Sequence, residues 1–292
     1  MSNKRGSALL CFGIICSFIF VWQLATMSKP FDVGARSESE LEIMVFNGDI
    51  VEDAEGKYIF NPNKQKGLPS PGVVFSKITT ELGSAFEKKG TNDHGIAHLV
   101  FYTVTRFAIG FLVASVVAVV LGVAVGLSPL LLGALNPIIQ LLKPISPLAW
   151  MPLLLYTVQD PQMTAILVVF MAALWPTVAN TAFGVSSIKP DYLRVSSLLE
   201  LSWARRLFTV ILPAAAPAII AGLRISFGSA LVAVVPAEML LGELGVGYLT
   251  WIEWNNLDIA GVLFAILVVG VVGMILDTGF GVLAKTASYP ES

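Results

Sequence analysis

Between Arg106 and Lys143 the chain runs for 36 residues without a charge. As one helix rising 1.5 Å per residue, this run would be about 54 Å long, nearly twice the ~30 Å hydrocarbon core of a bilayer. It has to fold back on itself, and Gly126-Leu-Ser-Pro129 is where Gly and Pro end one helix and start the next. A soluble domain has no means of covering such a run. Charged residues are 13% of the chain, against about 25% in an ordinary soluble domain. Of the 18 basic and 20 acidic residues, 8 and 11 lie between Ser28 and Asp93, so the rest of the chain is more apolar still. The fold class is therefore all-α integral membrane protein. A net charge of −2 argues against nucleic acid as a partner. Cys11 and Cys16, five apart in one apolar run, provide neither a disulfide framework nor a metal cluster.

Six spans are expected. The first, in segment 1–28, is the apolar run Ala8 to Met27 behind Lys4 and Arg5, longer than a signal-peptide core and without a small-residue cleavage site. Segment 29–95 is polar and turn-rich, with Phe31-Asp-Val-Gly34 and Asn61-Pro-Asn63 as punctuation; the Asn47-Gly48 step suits a hairpin. Val74, Ile78, Leu82 and Phe86, four apart within Val73 to Lys88, predict a helix lying at the membrane surface. The core, 96–285, holds two spans across the uncharged run. The second of these runs into Lys143-Pro-Ile-Ser-Pro147 and Pro152, which predict a kinked or broken helix. A fourth span follows from Pro161 to Ile188, a fifth from about Pro217 to Pro236, and a sixth from about Ala260 to Leu283, leaving a cytoplasmic tail, 286–292. Six spans place Lys4/Arg5, the loop Lys189 to Arg206 and Lys285 on one side, as the positive-inside rule requires, so both termini are expected in the cytoplasm.

That loop, 189–213, predicts two short helices. Pro190 with Asp191 opens the first, and Trp203 to Ile211, ending at Pro213, forms the second. An element outside the membrane between two spans is placed to contact a partner. Here the sequence resembles the permease subunits of bacterial binding-protein-dependent ABC importers: Ser202-Trp203 followed by Ile211-Leu-Pro213 is similar to the loop that docks on their ATPase subunits. Leu68-Pro-Ser-Pro-Gly72, Arg106-Phe-Ala-Ile-Gly-Phe111, Asn136-Pro137, Lys143-Pro-Ile-Ser-Pro-Leu-Ala-Trp-Met-Pro152, Gly222-Leu-Arg224 and Ala237-Glu-Met239 resemble the branch importing nitrate, bicarbonate, taurine and alkanesulfonates. Thr91-Asn-Asp-His-Gly-Ile96 and Trp251-Ile-Glu-Trp-Asn-Asn-Leu257 are similar to its nitrate/nitrite and bicarbonate members. The docking loop departs from the family pattern, which has a Glu-Ala-Ala start and a glycine seven residues in; Arg194-Val-Ser196 and Glu200 stand there.

The resemblance implies a permease in the bacterial inner membrane, paired with itself or a similar subunit. Two ATPase subunits that hold ATP and Mg would dock on it, with a periplasmic or lipid-anchored substrate-binding protein on the other side. No phosphate-binding Gly-x-x-x-x-Gly-Lys-Ser/Thr loop is found, so no cofactor and no catalytic residue is assigned to this chain. The expected coupling residues are Asp191, Arg194, Glu200, Leu201, Ser202, Trp203, Arg205 and Pro213. Lys143 and Arg224, cations embedded in apolar sequence, are the first candidates for an anion's route, against a structural role near the boundary. Arg106 is read as an anchor at the outer start of the second span or an attractor at the pore mouth. Trp150 and Met151 lie where either unwound backbone would build a site or ordinary proline kinks bend the span. Glu238 could meet Arg224 only if its span bends, because 14 residues of helix separate them by about 21 Å; a gate or outer-loop role is preferred. Trp251, Glu253 and Trp254 are candidates for contact with the binding protein. His94 and His98 lack the partners of a metal site. Gly122-x-x-x-Gly126 permits close helix approach, including at a subunit interface. The substrate expected is nitrate or nitrite, then bicarbonate, then organosulfonates. The rival is a stand-alone secondary anion carrier.

Overall fold

The structure, a computed structural model, describes residues 2–26, 38–47, 50–52, 58–60, 68–88, 90 and 94–287. In chain order the elements are α1 (Ser2–Ala25), α2 (Glu38–Phe46), the antiparallel strands β1 (Ile50–Glu52) and β2 (Tyr58–Phe60), α3 (Pro71–Gly83), α4 (Ile96–Leu127), α5 (Pro129–Leu142), α6 (Met151–Val158) and α7 (Pro161–Ser186). There follow α8 (Pro190–Leu198), α9 (Trp203–Arg206), α10 (Leu212–Leu241), α11 (Val246–Asn255) and α12 (Ile259–Ala287). Packing divides the chain into two units, Met1–Ala85 with Glu253–Phe264 and Phe86–Ile252 with Ala265–Ser292.

In the first unit the hairpin pairs Ile50 with Phe60 and Glu52 with Tyr58. The Asn47-Gly48 step is not its turn. Leu41 and Met44, three apart, pack on Ile50 from one face of α2, and the Asn47 N–H closes that helix on the Ile43 carbonyl at 2.8 Å. Phe31 to Gly34, Asn61 to Asn63 and Thr91 to Asp93 lie outside the described residues. Helix α3 starts where Ser70, extended before Pro71, allows it to start. It ends at Gly83, five residues short of the expected Lys88. The Trp22 indole N–H donates to the Pro69 carbonyl at 3.0 Å, tying α1 to the entry of α3.

In the second unit α7 is packed by α4 on one side and α10 on the other. Helix α4 presents a small residue every fourth position, Gly110, Ala114, Ala118, Gly122 and Gly126. A Cβ on Gly110 would lie 2.8 Å from the Ile166 carbonyl oxygen, and one on Gly126 2.6 Å from that of Ala182. Apolar side chains gain nothing by leaving lipid for protein, so association rests on this close backbone approach. The Gly122-x-x-x-Gly126 step therefore serves a contact inside the chain rather than one between subunits. Above the stripe Phe107, Phe111, Phe227 and Phe280 interlock, with Phe227 centroids 5.0 Å from both Phe107 and Phe280.

Among the described residues, four helices are long and apolar enough to cross a membrane, Ile96–Leu127, Pro161–Ser186, Trp203–Leu241 and Ile259–Val282. The pair Pro129–Leu142 and Pro147–Val158 would be a fifth as one span bent by 89°. The bend falls where expected, because Ser146 is held extended by Pro147 and a 3₁₀ turn, Pro147–Trp150, re-aims the chain. The apolar part of α1, Leu9–Ala25, is shorter, so a count of six needs both it and the bent pair to cross. Two further differences from the sequence reading matter for function. Helix α4 begins ten residues before Arg106, which places Arg106 about 15 Å along its axis rather than at its start. The stretch Trp203 to Ile211 is not a separate loop helix but runs through a π turn, Leu207–Ile211, into α10. Pro213 has no N–H to give, and the helix accommodates it with the wider turn instead of stopping.

Candidate functional site

The loop after α7 begins with α8, whose Pro190 takes the first helical position and whose Asp191 sits in the first turn. Its C-terminus is a Schellman closure: the Leu201 N–H reaches the Ser196 carbonyl at 3.3 Å and the Glu200 N–H that of Ser197 at 3.1 Å. This requires left-handed backbone at Glu200, where φ is 49°. The turn that favours glycine is thus kept by a residue with a side chain. Leu193 packs with Ile188, Leu207 and Ile211 beneath α8. On the other side Tyr192, Val195, Leu198, Leu199 and Trp203 are exposed, Leu198 at 82% and Trp203 at 70%. An open groove of about 700 Å³ is lined by Leu193, Arg194, Leu198 and Arg206. Arg194 and Asp191 pair at 3.4 Å in solvent, and Ser202, Arg205 and Pro213 are exposed while Leu201 is half-buried. Of the exposed apolar surface here, the sequence reading singled out only Trp203; the spacing of Tyr192, Val195 and Leu199 would have added three more, though not Leu198.

The second assembly lies where the C-terminal end of α10 meets α4. Glu238 is fully buried, and Arg106 is 6% exposed. Glu238 Oε1 accepts from Arg106 Nη1, and Oε2 accepts from the Thr103 hydroxyl at 2.9 Å and the Gly247 N–H at 3.0 Å. Thr103 in turn accepts the Val246 N–H at 2.9 Å, so one hydroxyl links α4, α10 and the start of α11. Arg106 also donates to the Leu244 carbonyl at 3.2 Å and, through Nη2, to Glu243 at 3.3 Å. A Cβ on Gly245 would collide with the Glu238 carboxylate, and one on Gly247 with its Cβ and the Val235 carbonyl. Charges taken this far from water persist only when paired and hydrogen-bonded. The sequence reading put Arg106 and Glu238 both toward the outer side without pairing them, and it missed Thr103, Glu243, Gly245 and Gly247. The available signal was that Glu238 and Glu243 are the only carboxylates between Glu200 and Glu253.

The other expected pathway residues are not brought to this cluster. Arg224 is exposed midway along α10, and Glu238 takes Arg106 in its place. Lys143 is exposed at the end of α5. Trp150 is half-buried, and Met151 packs with Leu148 and Leu154 against Ala165, Val168 and Ala237. His94 and His98 rings stand 6.0 Å apart, with His94 also against Tyr102. Trp251 and Trp254 are exposed, at 42% and 53%.

Glu253, by contrast, belongs to an ion cluster in the first unit. Lys77 Nζ lies 2.9 Å from Asp258, 3.3 Å from Glu81 and 3.4 Å from Glu253. Asp258 also caps α12 by accepting the Gly261 N–H at 2.9 Å. Burial works against the Lys77 charge, but the Asp258 hydrogen bond and the Glu253 and Asp258 charges outweigh it and raise its pKa. Burial pushes Glu253 up, with Lys77 opposing. Burial also disfavours the Asp258 charge, but the Gly261 N–H and Lys77 prevail and hold it below the usual range.

The family of binding-protein-dependent transport system inner membrane components matches residues 100–289. The chain belongs to this family. Permeases of this kind work with separate ATPase and substrate-binding subunits and carry no ATPase domain of their own. Among curated relatives, the nitrate import permease protein NrtB of Synechocystis is 40% identical over 210 residues, 72% of this chain and 76% of that one. The bicarbonate transport system permease protein CmpB of Synechococcus elongatus is 36% identical over 222 residues, 75% of this chain and 80% of that one. Among solved structures, the MetNI methionine ABC transporter in inward-facing conformations has a chain that matches with a TM-score of 0.50 at 12% identity, over 64% of this chain and 97% of that one. That likeness concerns the fold alone, and it joins the transmembrane helices to the ABC importer permease type.

Proposed function

We propose that this chain is the permease subunit of an ATP-driven importer of a small inorganic anion, nitrate or nitrite first and bicarbonate second. The observation that carries the reading is the 40% and 36% identity to a nitrate and a bicarbonate permease across most of the chain. The exposed apolar surface Tyr192, Val195, Leu198, Leu199 and Trp203 supports it, since side chains of this kind anchor protein interfaces. In this reading Asp191 to Pro213 receives the ATPase subunit. Two permeases, as a homodimer or with a similar partner, enclose the path in a bacterial inner membrane with both termini cytoplasmic. A periplasmic or lipid-anchored binding protein delivers the anion on the far side, where Trp251 and Trp254 lie. ATP-driven closure of the ATPases moves α8, and the spans rock to open the path to each side in turn. Lys143 and Arg224, exposed along the chain, line that path, with Trp150 and Met151 at the broken helix.

Uptake of labelled nitrate, bicarbonate and taurine by cells with and without the gene tests the substrate. Loss of nitrate uptake alone is expected, and loss of taurine uptake alone would overturn it. Substrate-stimulated ATP hydrolysis is expected only from the complete assembly. Uptake by the lone chain on an ion gradient would establish a secondary carrier instead.

A further inference from the structure

The Arg106 guanidinium has two hydrogen-bonding faces in very different states. Nη1 is fully engaged, by Glu238 and by the Leu244 carbonyl. The side edge, formed by Nε–H and an Nη2–H, presents two parallel donors of the kind that receives a planar oxyanion in bidentate fashion. That edge is only half used. Nη2 holds Glu243 at 3.3 Å, and Nε, though buried, has no acceptor. The two carboxylates on this arginine also differ in how they are held. Glu238 is inside α10, fully buried and fixed by three donors. Glu243 follows Gly242, the left-handed residue that ends α10, and its side chain is 25% exposed. Glu243 can leave without disturbing a helix, and Glu238 cannot.

We propose that Glu243 is a tethered stand-in for the transported anion, occupying half of a bidentate oxyanion seat on Arg106 and surrendering it to a monoanion. This rests on the anion-import reading and narrows its substrate class. Exchange of one carboxylate for one nitrate, nitrite or bicarbonate leaves the charge of the cluster unchanged, because Glu238 stays and one negative charge replaces another. A dianion adds a charge beside the buried Glu238, whereas a sulfonate, a monoanion whose oxygen pair also fits a two-donor guanidinium edge, meets no such penalty. The seat therefore selects monoanions over the sulfate dianion.

The test uses the purified full chain in lipid nanodiscs, titrated with sodium nitrate against sodium sulfate at constant ionic strength and read by thermal melting. Glu243→Ala removes the competitor, and nitrate is expected to stabilise this variant at concentrations at least tenfold below those needed by wild type, with sulfate ineffective. Glu243→Gln, which keeps the shape, moves the same way by threefold or more and serves if the alanine variant does not fold. Adding Arg106→Lys to Glu243→Gln keeps the positive charge but loses the paired donors, and should abolish the nitrate response. Equal nitrate sensitivity in wild type and both Glu243 variants, or equal effects of nitrate and sulfate, would overturn the proposal. Failure of the wild-type assembly to transport any anion would instead sink the import reading, since melting reads the seat without transport.

Discussion

The chain uses charge in two opposite ways. At Arg106 every ion is placed by its neighbours: the guanidinium, two carboxylates, one hydroxyl and two backbone N–H groups hold one another in the interior, with only Glu243 reaching solvent. At α8 the ions Asp191 and Arg194 face solvent, 83% and 78% exposed, and the ordered element turns its apolar side chains outward. A surface pair of this kind contributes little, whereas a buried pair is costly to break. The first region is thus built to hold helices of its own chain, and the second to be completed by something else.

The hardest blow to this contrast is Glu238→Ala. It strands Arg106 in the interior, and a loss of about 3–5 kcal/mol is expected, read as a collapse in melting temperature and yield of the purified permease. An unchanged melting temperature would mean that the cluster does not hold α4 to α10. Trp203→Asp should do the reverse. The folded chain tolerates it because the side chain is exposed, but ATPase co-purification should weaken by about 2–4 kcal/mol, the range of an interface anchor. Retained association would remove the docking role of this surface.

The Lys77 cluster gives a third kind of test, since it is partly exposed and titrates. Asp258, held below its ordinary 3.8, contributes stability that is complete above that value and lost as pH falls through the lowered one. Glu253, raised above 4.5 by burial, has the opposite sign, its ionisation eroding stability as pH rises. Lys77, raised above 10.5, contributes stability below that value and loses it as pH rises through the raised one. Melting temperatures between about pH 5 and pH 3 should therefore fall less steeply in Asp258→Asn than in wild type. An identical acid limb would take Asp258 out of the network. The smallest effect belongs to Glu200→Gly. Removing a side chain from left-handed backbone should stabilise the loop by about 0.5–1 kcal/mol, detectable as slower hydrogen exchange at Glu200 and Leu201.

The four long apolar helices and the bent pair were legible in the sequence because their signal is local: uncharged length, prolines and the Gly126 to Pro129 break are read from neighbours along the chain. The turn after α8 was legible for the same reason, down to the place where glycine was missing. The Arg106 cluster was not. Its partners are 132 and 137 residues away in sequence, and which cation meets Glu238 depends on where α4 starts. Extending that helix back to Ile96 moved Arg106 inward, and Arg224, the nearer candidate along the chain, was left outside. The glycines at 245 and 247 carry meaning only once the carboxylate that fills their missing side-chain space is known. The hairpin was expected in the right region and assigned the wrong turn, because Asn-Gly ends a helix as readily as it reverses a strand.

One helical path runs from Trp203 to Leu241, 39 residues or about 58 Å. It is the same shaft that bears the exposed Trp203 at one end and Glu238 at the other. A tilt of only ~5° about one end would displace the other by about 5 Å, enough to draw a carboxylate out of reach of its arginine. The π turn lies beside the Trp203 end, and Pro217 and Pro236 are the interior points of the remaining length at which such a tilt can be bent or absorbed before Glu238.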